Sequence, residues 1–478
     1  MVYSSYEFLF VLPVFIAWFY AARTVRMQNL VLLFESMFFL AWAGLWHLIA
    51  VAAVIIAVYF YFILDKRFCF GKYGVAGVLA LLTANLLFFK YRHFIDQIFG
   101  VTLPVLSRMT WVVPLGISFY TFEAISGILD IRRRHHSVNP MHWSLFIMFF
   151  PHLIAGPIVR FRMLQPQFVV LKIFRKRNIA TGLHLFTIGF LKKMMADPIG
   201  KIIDPIWSNP SQASSLSLCL ALIGFSAQVY LDFSGYTDMG RGVARLMGFR
   251  LPVNFRAPYL AASPMEFFQR WHVSLSSWIR IFVFDVAAMA VIRRMRNPKL
   301  QSYGVLVVTL LVMGLFGLWH GAAWKYVLFG IFLGLIITMW AAATGGKSAH
   351  SAWGKFFGIL VMQLLWLFSL ILFRADNLKE AGQYFTGIFF GHMSAAPNSI
   401  WWCLVAFIGV LGTQAIDFFV GYRPLVRTLA IFRMNLVGII TTLLVLFLAI
   451  IVKVNMDMDI LSSSSHSNTA ESFIYFQF

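Results

Sequence analysis

A single histidine, His320, sits in Phe316-Gly-Leu-Trp-His-Gly-Ala-Ala-Trp324, inside the long and almost uncharged stretch Tyr303–Ala343. An ionisable side chain at membrane depth is costly, and it usually lines a polar cavity or does chemistry. A neutral imidazole titrates near pH 6.5 unperturbed, and burial disfavours its charged form, so it suits proton abstraction. The bland reading is a packing histidine bonded to a carbonyl. Gly314, Gly317 and Gly321 give one small-residue face beside it for close approach of a helix or ligand.

Other residues of the right types are scattered along the chain. His272 lies in Arg270-Trp271-His272-Val-Ser274-Leu-Ser-Ser-Trp278, an amphipathic aromatic segment in which Glu266 and Arg270 are spaced to pair on a helix. It reads either as an interfacial histidine or as a second group in the cavity of His320. His152 lies in Pro151-His-Leu-Ile-Ala-Gly-Pro157, where two prolines and a glycine break a helix within the bilayer's reach. It reads as a cap on broken backbone or as a cavity-lining group. Asp232-Phe-Ser-Gly-Tyr236-Thr-Asp238 adjoins an apolar helix and reads as a supporting polar network at a helix break, with acid/base work as the sharper alternative. The His135-His136 pair reads as a solvated loop, because adjacent helical residues do not share a face. Cys69, Cys219 and Cys403 are far apart and form no ligand pattern, and no metal site is expected.

The elements that must position these residues are membrane helices. The chain has 478 residues, 60% of them hydrophobic and only 12% charged. An ordinary soluble protein carries about 25% charged residues. Apolar runs of spanning length recur from end to end, so the fold expected is all-α and polytopic, as one domain over residues 1–478. Roughly eleven to thirteen membrane segments are expected, some of them re-entrant. They include Leu30–Trp46, Leu48–Leu64, Val75–Phe89, Ser214–Tyr230, the pair Tyr303–Trp319 and Tyr326–Ala343, Trp353–Phe373, Asn398–Val420 and Asn435–Val454. Phe8–Tyr20 reads as a retained membrane segment, because no basic region precedes it. Lys192-Lys193 reads as the end of the apolar run Thr181–Leu191. The formal net charge of +21 falls in short clusters between spans. Those clusters mark cytoplasmic loops, with anionic lipid as a compatible contact and no call for nucleic acid.

Four ordered strings carry a resemblance. Pro151–Pro157, Asp232-Phe-Ser-Gly-Tyr-Thr-Asp-Met239, Arg270-Trp-His-Val-Ser-Leu-Ser-Ser-Trp278 and Leu318-Trp319-His320-Gly321 together resemble the membrane-bound O-acyltransferase family, in its bacterial polysaccharide branch. The resemblance implies a helical fold around a central tunnel in the bacterial inner membrane. It makes His320 and His272 the catalytic pair. Asp232, Tyr236, Asp238, His152 and Trp319 would support them, and Arg270, Ser274 and Trp278 would bind substrate. The reaction implied is acetyl transfer from cytoplasmic acetyl-CoA, a substrate and not a bound cofactor, to an extracytoplasmic alginate-like polysaccharide. A periplasmic partner with a serine-hydrolase-like (SGNH) fold would complete the transfer in some systems, and cellulose or peptidoglycan are alternative acceptors. One departure stands out. After Arg280 the branch usually continues through an Asp-Tyr pair to a Pro-Leu-Gly-Gly loop, whereas this chain reads Ile281-Phe-Val-Phe-Asp285-Val. The rival class, a transporter or flippase, shares the broken helices and intramembrane polar groups. It also calls for two similar halves, and the sequence has no such internal pair.

Overall fold

The computed structural model describes residues 3–100, 112–134, 138–154, 156–347, 351–419 and 442–453. Among them every regular element is helical. Eight helices are long and apolar enough to cross a membrane, and Tyr6–Ala21 and Thr442–Lys453 are shorter apolar helices. The His135-His136 pair, the first part of the expected Asn435–Val454 span and its last residue lie outside the described residues.

Burial separates lipid-facing helices from interior ones. In Leu45–Phe68 only 22% of the spanning window is buried, whereas in Ser215–Leu246 it is 83%. The second helix is therefore surrounded by protein, and it is the one that carries Asp232. It also corrects an expectation: no break follows Tyr230, and the helix runs on through the carboxylate-rich stretch to Leu246. The glycines there explain why. A Cβ at Gly240 would lie 2.5 Å from the Pro151 carbonyl, and one at Gly242 would lie 2.6 Å from the Phe186 amide nitrogen. They provide close backbone approach, not a turn. Lys192-Lys193 likewise does not end a helix, because Lys176–Ser208 continues past it.

The described residues divide into two compact units. The first comprises residues up to Phe186 together with Tyr236–Pro252. Within it the helix break at Pro151–Pro157 is realised as Pro140–Met148, a single turn Phe150–Leu153, and residues 157–160 without regular structure. Glu123, on Ile117–Arg134, fastens this break. Its Oε1 accepts the Val159 N–H at 3.1 Å and lies 3.0 Å from His152 Nδ1. The Ser36 hydroxyl accepts the Phe150 N–H, and the Tyr3 hydroxyl donates to the Phe150 carbonyl at 2.6 Å. Tyr236 stacks on Tyr3 at 4.6 Å between ring centroids, and Asp238 pairs with Arg241 at 2.8 Å.

The second unit comprises Thr187–Gly235 and the described residues from Val253 onward, apart from those assigned to the first. Its tightest feature is the antiparallel pair Pro298–His320 and Trp324–Thr344, broken at Gly321 where expected. The crossing is made by glycine. A Cβ at Gly317 would lie 1.9 Å from the Tyr326 carbonyl oxygen, and one at Gly330 would lie 1.9 Å from the Met313 carbonyl oxygen. Backbone meets backbone there, and no side chain fits between. Downstream of His272, the branch's usual glycine loop is replaced by helix. Val273–Ile279 passes through a π-helical turn, Arg280–Phe284, into Asp285–Arg294, making one run of membrane-spanning length.

Gly317→Ala forces the two helices apart and is expected to cost roughly 1–3 kcal/mol, the range for overpacking a close contact. The check is the thermal unfolding midpoint of the detergent-purified protein. Gly382→Ala, inside the helix Leu378–Phe390 where a Cβ meets open space, should not lower that midpoint and should raise it slightly, since Ala favours a helix over Gly by about 1 kcal/mol.

Candidate functional site

The residues that could do chemistry in the second unit are delivered by three pieces of backbone. The first is the irregular segment that follows Pro252. It ends at Ser263, whose hydroxyl caps the short helix Pro264–Arg270 by accepting the Glu266 N–H at 3.2 Å. Glu266 reaches back past the N-cap to accept the Ala262 N–H at 2.7 Å, a variant of the capping box. Glu266 also pairs with Arg270, as the spacing predicts, and Arg270 Nη1 donates to the Ala257 carbonyl at 3.2 Å. Arg270, expected to bind substrate, is buried and holds this loop.

The second piece is the turn at His272. Its φ of 44° lies in the left-handed region, which a non-glycine residue seldom occupies. The turn ends one short helix and starts another, and it buries the imidazole completely. Nδ1 lies 3.2 Å from Asn254 Oδ1, which also accepts from the Ser274 hydroxyl at 2.9 Å and the Ser274 N–H at 3.1 Å. Ser274 is thus joined to His272 through Asn254. Trp278 is buried and packs on Phe282, 5.3 Å away.

The third piece is the C-terminal end of Pro298–His320. His320 is its last residue and is 7% exposed. Four aromatic rings meet its imidazole edge to face: Phe316, Trp319, Phe329 and Phe373, at 4.8–5.8 Å between centroids. The ring lines a small cavity whose other walls include Phe268, Trp271, Trp366 and Leu370. The cavity's volume is about 20 Å³, which holds about one water molecule. Trp319 contacts both imidazoles, with centroids 4.8 Å from His320 and 5.8 Å from His272. The two histidines flagged from sequence thus share one aromatic neighbour, although 48 residues separate them in the chain.

Asp232 belongs to this unit too. It forms an ion pair with Lys193 at 2.8 Å, and Lys193 also reaches Asp197 at 2.5 Å. The pair holds the Ser215–Leu246 helix where the next residue, Phe233, meets His272 edge-on at 4.7 Å. Tyr236, Asp238 and His152 belong to the first unit, where each has the partner described above. Asp232 thus has its partner in the second unit, and Tyr236 and Asp238 have theirs in the first.

Sequence reasoning missed three residues. Lys193 looked like a loop marker, although its i,i+4 spacing to Asp197 was a visible clue. Glu123 was visible as a carboxylate in an apolar span, without a partner. Asn254 left no local signal, since its partners lie 18 and 20 residues away. Among the described residues no three His, Cys, Asp or Glu side chains come together to hold a metal ion.

Comparison with known proteins adds an independent finding. The sequence profile of "MBOAT, membrane-bound O-acyltransferase family" matches residues 124–346, which include Asp232, His272 and His320. A probable alginate O-acetylase AlgI from Pseudomonas aeruginosa is 35% identical, over 81% of this chain and 75% of its own. A protein of the same name from Pseudomonas putida is 31% identical over the full length of both chains. A peptidoglycan O-acetyltransferase from Helicobacter pylori is 28% identical, over 77% of this chain and 75% of its own.

Removing one partner of a buried ion pair leaves the other charge uncompensated. Lys193→Met is therefore expected to destabilise the protein by about 3–5 kcal/mol. The double variant Lys193→Met/Asp232→Leu should recover much of that loss. Thermal or denaturant unfolding of the purified protein measures both; equal losses in the single and double variants would contradict the pairing.

Proposed function

The chain belongs to the membrane-bound O-acyltransferase family, and on that premise we propose that it is an acetyl-CoA-dependent polysaccharide O-acetyltransferase of the bacterial inner membrane. As a multi-pass membrane O-acyltransferase, it has to bring a thioester and a hydroxyl together away from water. Acetyl-CoA is the proposed donor, taken from the cytoplasmic side and passed through a transmembrane tunnel. The proposed acceptor is an extracytoplasmic, alginate-like polymer, or the serine of a periplasmic SGNH-type partner that completes the transfer. Anionic lipids are the expected surroundings of the basic loops.

The observation that carries the reading is the position of His320. It is a buried imidazole at a helix break, on the wall of an aromatic cavity, in a chain whose relatives include probable alginate O-acetylases. His320 takes the proton of the acceptor hydroxyl as its oxygen attacks the acetyl carbonyl. The carbon–sulfur bond breaks, and the thiolate of CoA leaves and takes up the proton. The products are the acetyl ester and free CoA. His272 orients or polarises a reacting group. Dry aromatic walls keep water from hydrolysing the thioester, and positioning supplies the rest of the rate.

The test is transfer of radiolabelled acetyl from acetyl-CoA by the purified protein in proteoliposomes, with alginate oligomers and peptidoglycan fragments as separate acceptors. His320→Ala is expected to lower transfer by roughly 10²–10⁴-fold, the usual contribution of a general base, with the unfolding midpoint within a few degrees of wild type. Undiminished transfer by that variant would remove His320 from the mechanism. Label appearing only on peptidoglycan would reassign the acceptor.

A further inference from the structure

We propose that Asn254 is a positioning residue that sets the tautomer of His272, so that His272 meets its reacting partner as a hydrogen-bond acceptor at Nε2. One group beside Asn254 has a polarity that cannot change. The backbone N–H of Ser274 is always a donor, and it lies 3.1 Å from one side-chain atom of Asn254. That atom must be the carboxamide oxygen, which removes the usual ambiguity between the oxygen and nitrogen of an asparagine. The Ser274 hydroxyl donates to the same oxygen at 2.9 Å. His272 Nδ1 lies 3.2 Å from it. An amide oxygen only accepts, so Nδ1 carries the hydrogen. A neutral imidazole has one ring proton, so Nε2 is left with its lone pair.

Three further observations bear on what that nitrogen does. Asn254 is 1% exposed and His272 is 0% exposed, so water does not compete freely for these bonds. Nε2 is buried and has no hydrogen-bond partner among the described residues. A buried acceptor left without a donor is costly, so this nitrogen suits a donor brought by the substrate. The left-handed backbone at His272 is a strained conformation, and such outliers gather at functional sites. It is held by two backbone hydrogen bonds, from the Val273 N–H to the Asn254 carbonyl and from the Arg256 N–H to the Arg270 carbonyl, both 2.9 Å. The segment that carries Asn254 is thereby pinned to the segment that carries His272.

This decides between the two roles left open for His272. Polarising a thioester carbonyl needs a hydrogen-bond donor, and this tautomer offers none at Nε2. Orienting a hydroxyl needs an acceptor, which Nε2 is. The hydroxyl of the acetyl acceptor therefore hydrogen-bonds to His272 Nε2. That last step rests on the acyl-transfer reading; the tautomer itself does not.

The experiment reads the tautomer directly. The full-length protein is labelled with ring-¹⁵N histidine in lipid bilayers, and the His272 signals are assigned by difference from His272→Gln in solid-state NMR. Wild type should show a protonated Nδ1 and an unprotonated Nε2. Asn254→Asp, whose carboxylate oxygen can accept the same bonds, should keep that pattern. Asn254→Ala should move the proton to Nε2 or give a mixture, and should lower kcat for transfer by about 10²-fold, as for loss of acid–base positioning, with KM for acetyl-CoA changed less than threefold. A protonated Nε2 in wild type, as the other tautomer or as imidazolium, overturns the proposal, and so does an unchanged tautomer in Asn254→Ala. Should Asn254→Ala fail to fold, wild type and Asn254→Asp still decide it. If the tautomer holds and His272→Gln transfers normally, the acyl-transfer role of His272 fails while the tautomer assignment stands.

Discussion

A helix that breaks inside a bilayer exposes N–H and C=O groups that no water can satisfy, and this structure meets that constraint with side chains. At several breaks a polar side chain comes in from elsewhere in the chain. Glu123 accepts the Val159 N–H after Pro157, and Ser36 accepts the Phe150 N–H before it. Asn254 accepts the Ser274 N–H, Gln414 accepts the Tyr259 N–H, and Lys325 donates to the Ala375 carbonyl. An unmade bond of this kind costs several kcal/mol in hydrocarbon. These buried polar residues are therefore where they are because the backbone is broken where it is.

The same constraint brings the chemistry with it. A break frees a side chain to be aimed along the bilayer normal or into a cavity instead of at a neighbouring helix. His320 is the last residue of its helix, and His272 occupies a turn between two short ones. His152 lies in the single turn between two interruptions, bonded to Glu123. In the first unit the carboxylate occupies the imidazole's Nδ1 and the backbone together, so the pair ties the chain. In the second unit the tie is a neutral carboxamide, which likewise leaves the imidazole's Nε2 buried and without a hydrogen-bond partner among the described residues. Close glycine contact at Gly317 and Gly330 holds the His320 helix end in register.

The basic character of the chain divides along similar lines. Most of its cations lie in short clusters between spans, as a membrane topology requires. Lys193 is an exception, buried between two carboxylates on a helix that continues past it. Such a pair contributes little net stability over an apolar substitute, but it fixes register, because neither charge tolerates losing its partner. Here the register it fixes is that of Phe233 against His272.

The sequence alone determined that this is an all-helical, polytopic membrane protein, because apolar run length and charge clustering are local properties. It also determined the break beside His320, since a histidine followed by glycine within so long an apolar stretch leaves few other arrangements. The Glu266–Arg270 pair was legible from its spacing, and the four motifs were legible as strings. Only the tertiary structure decided that the helix of Asp232 runs unbroken, with Gly240 and Gly242 in close contact with Pro151 and Phe186. It alone decided that helix takes the place of the glycine loop after Arg280, that Lys193 is interior, and that Asn254 governs His272. A hydrogen bond between residues far apart in sequence depends on where the intervening chain goes, and no pattern of residue types near either partner contains that path.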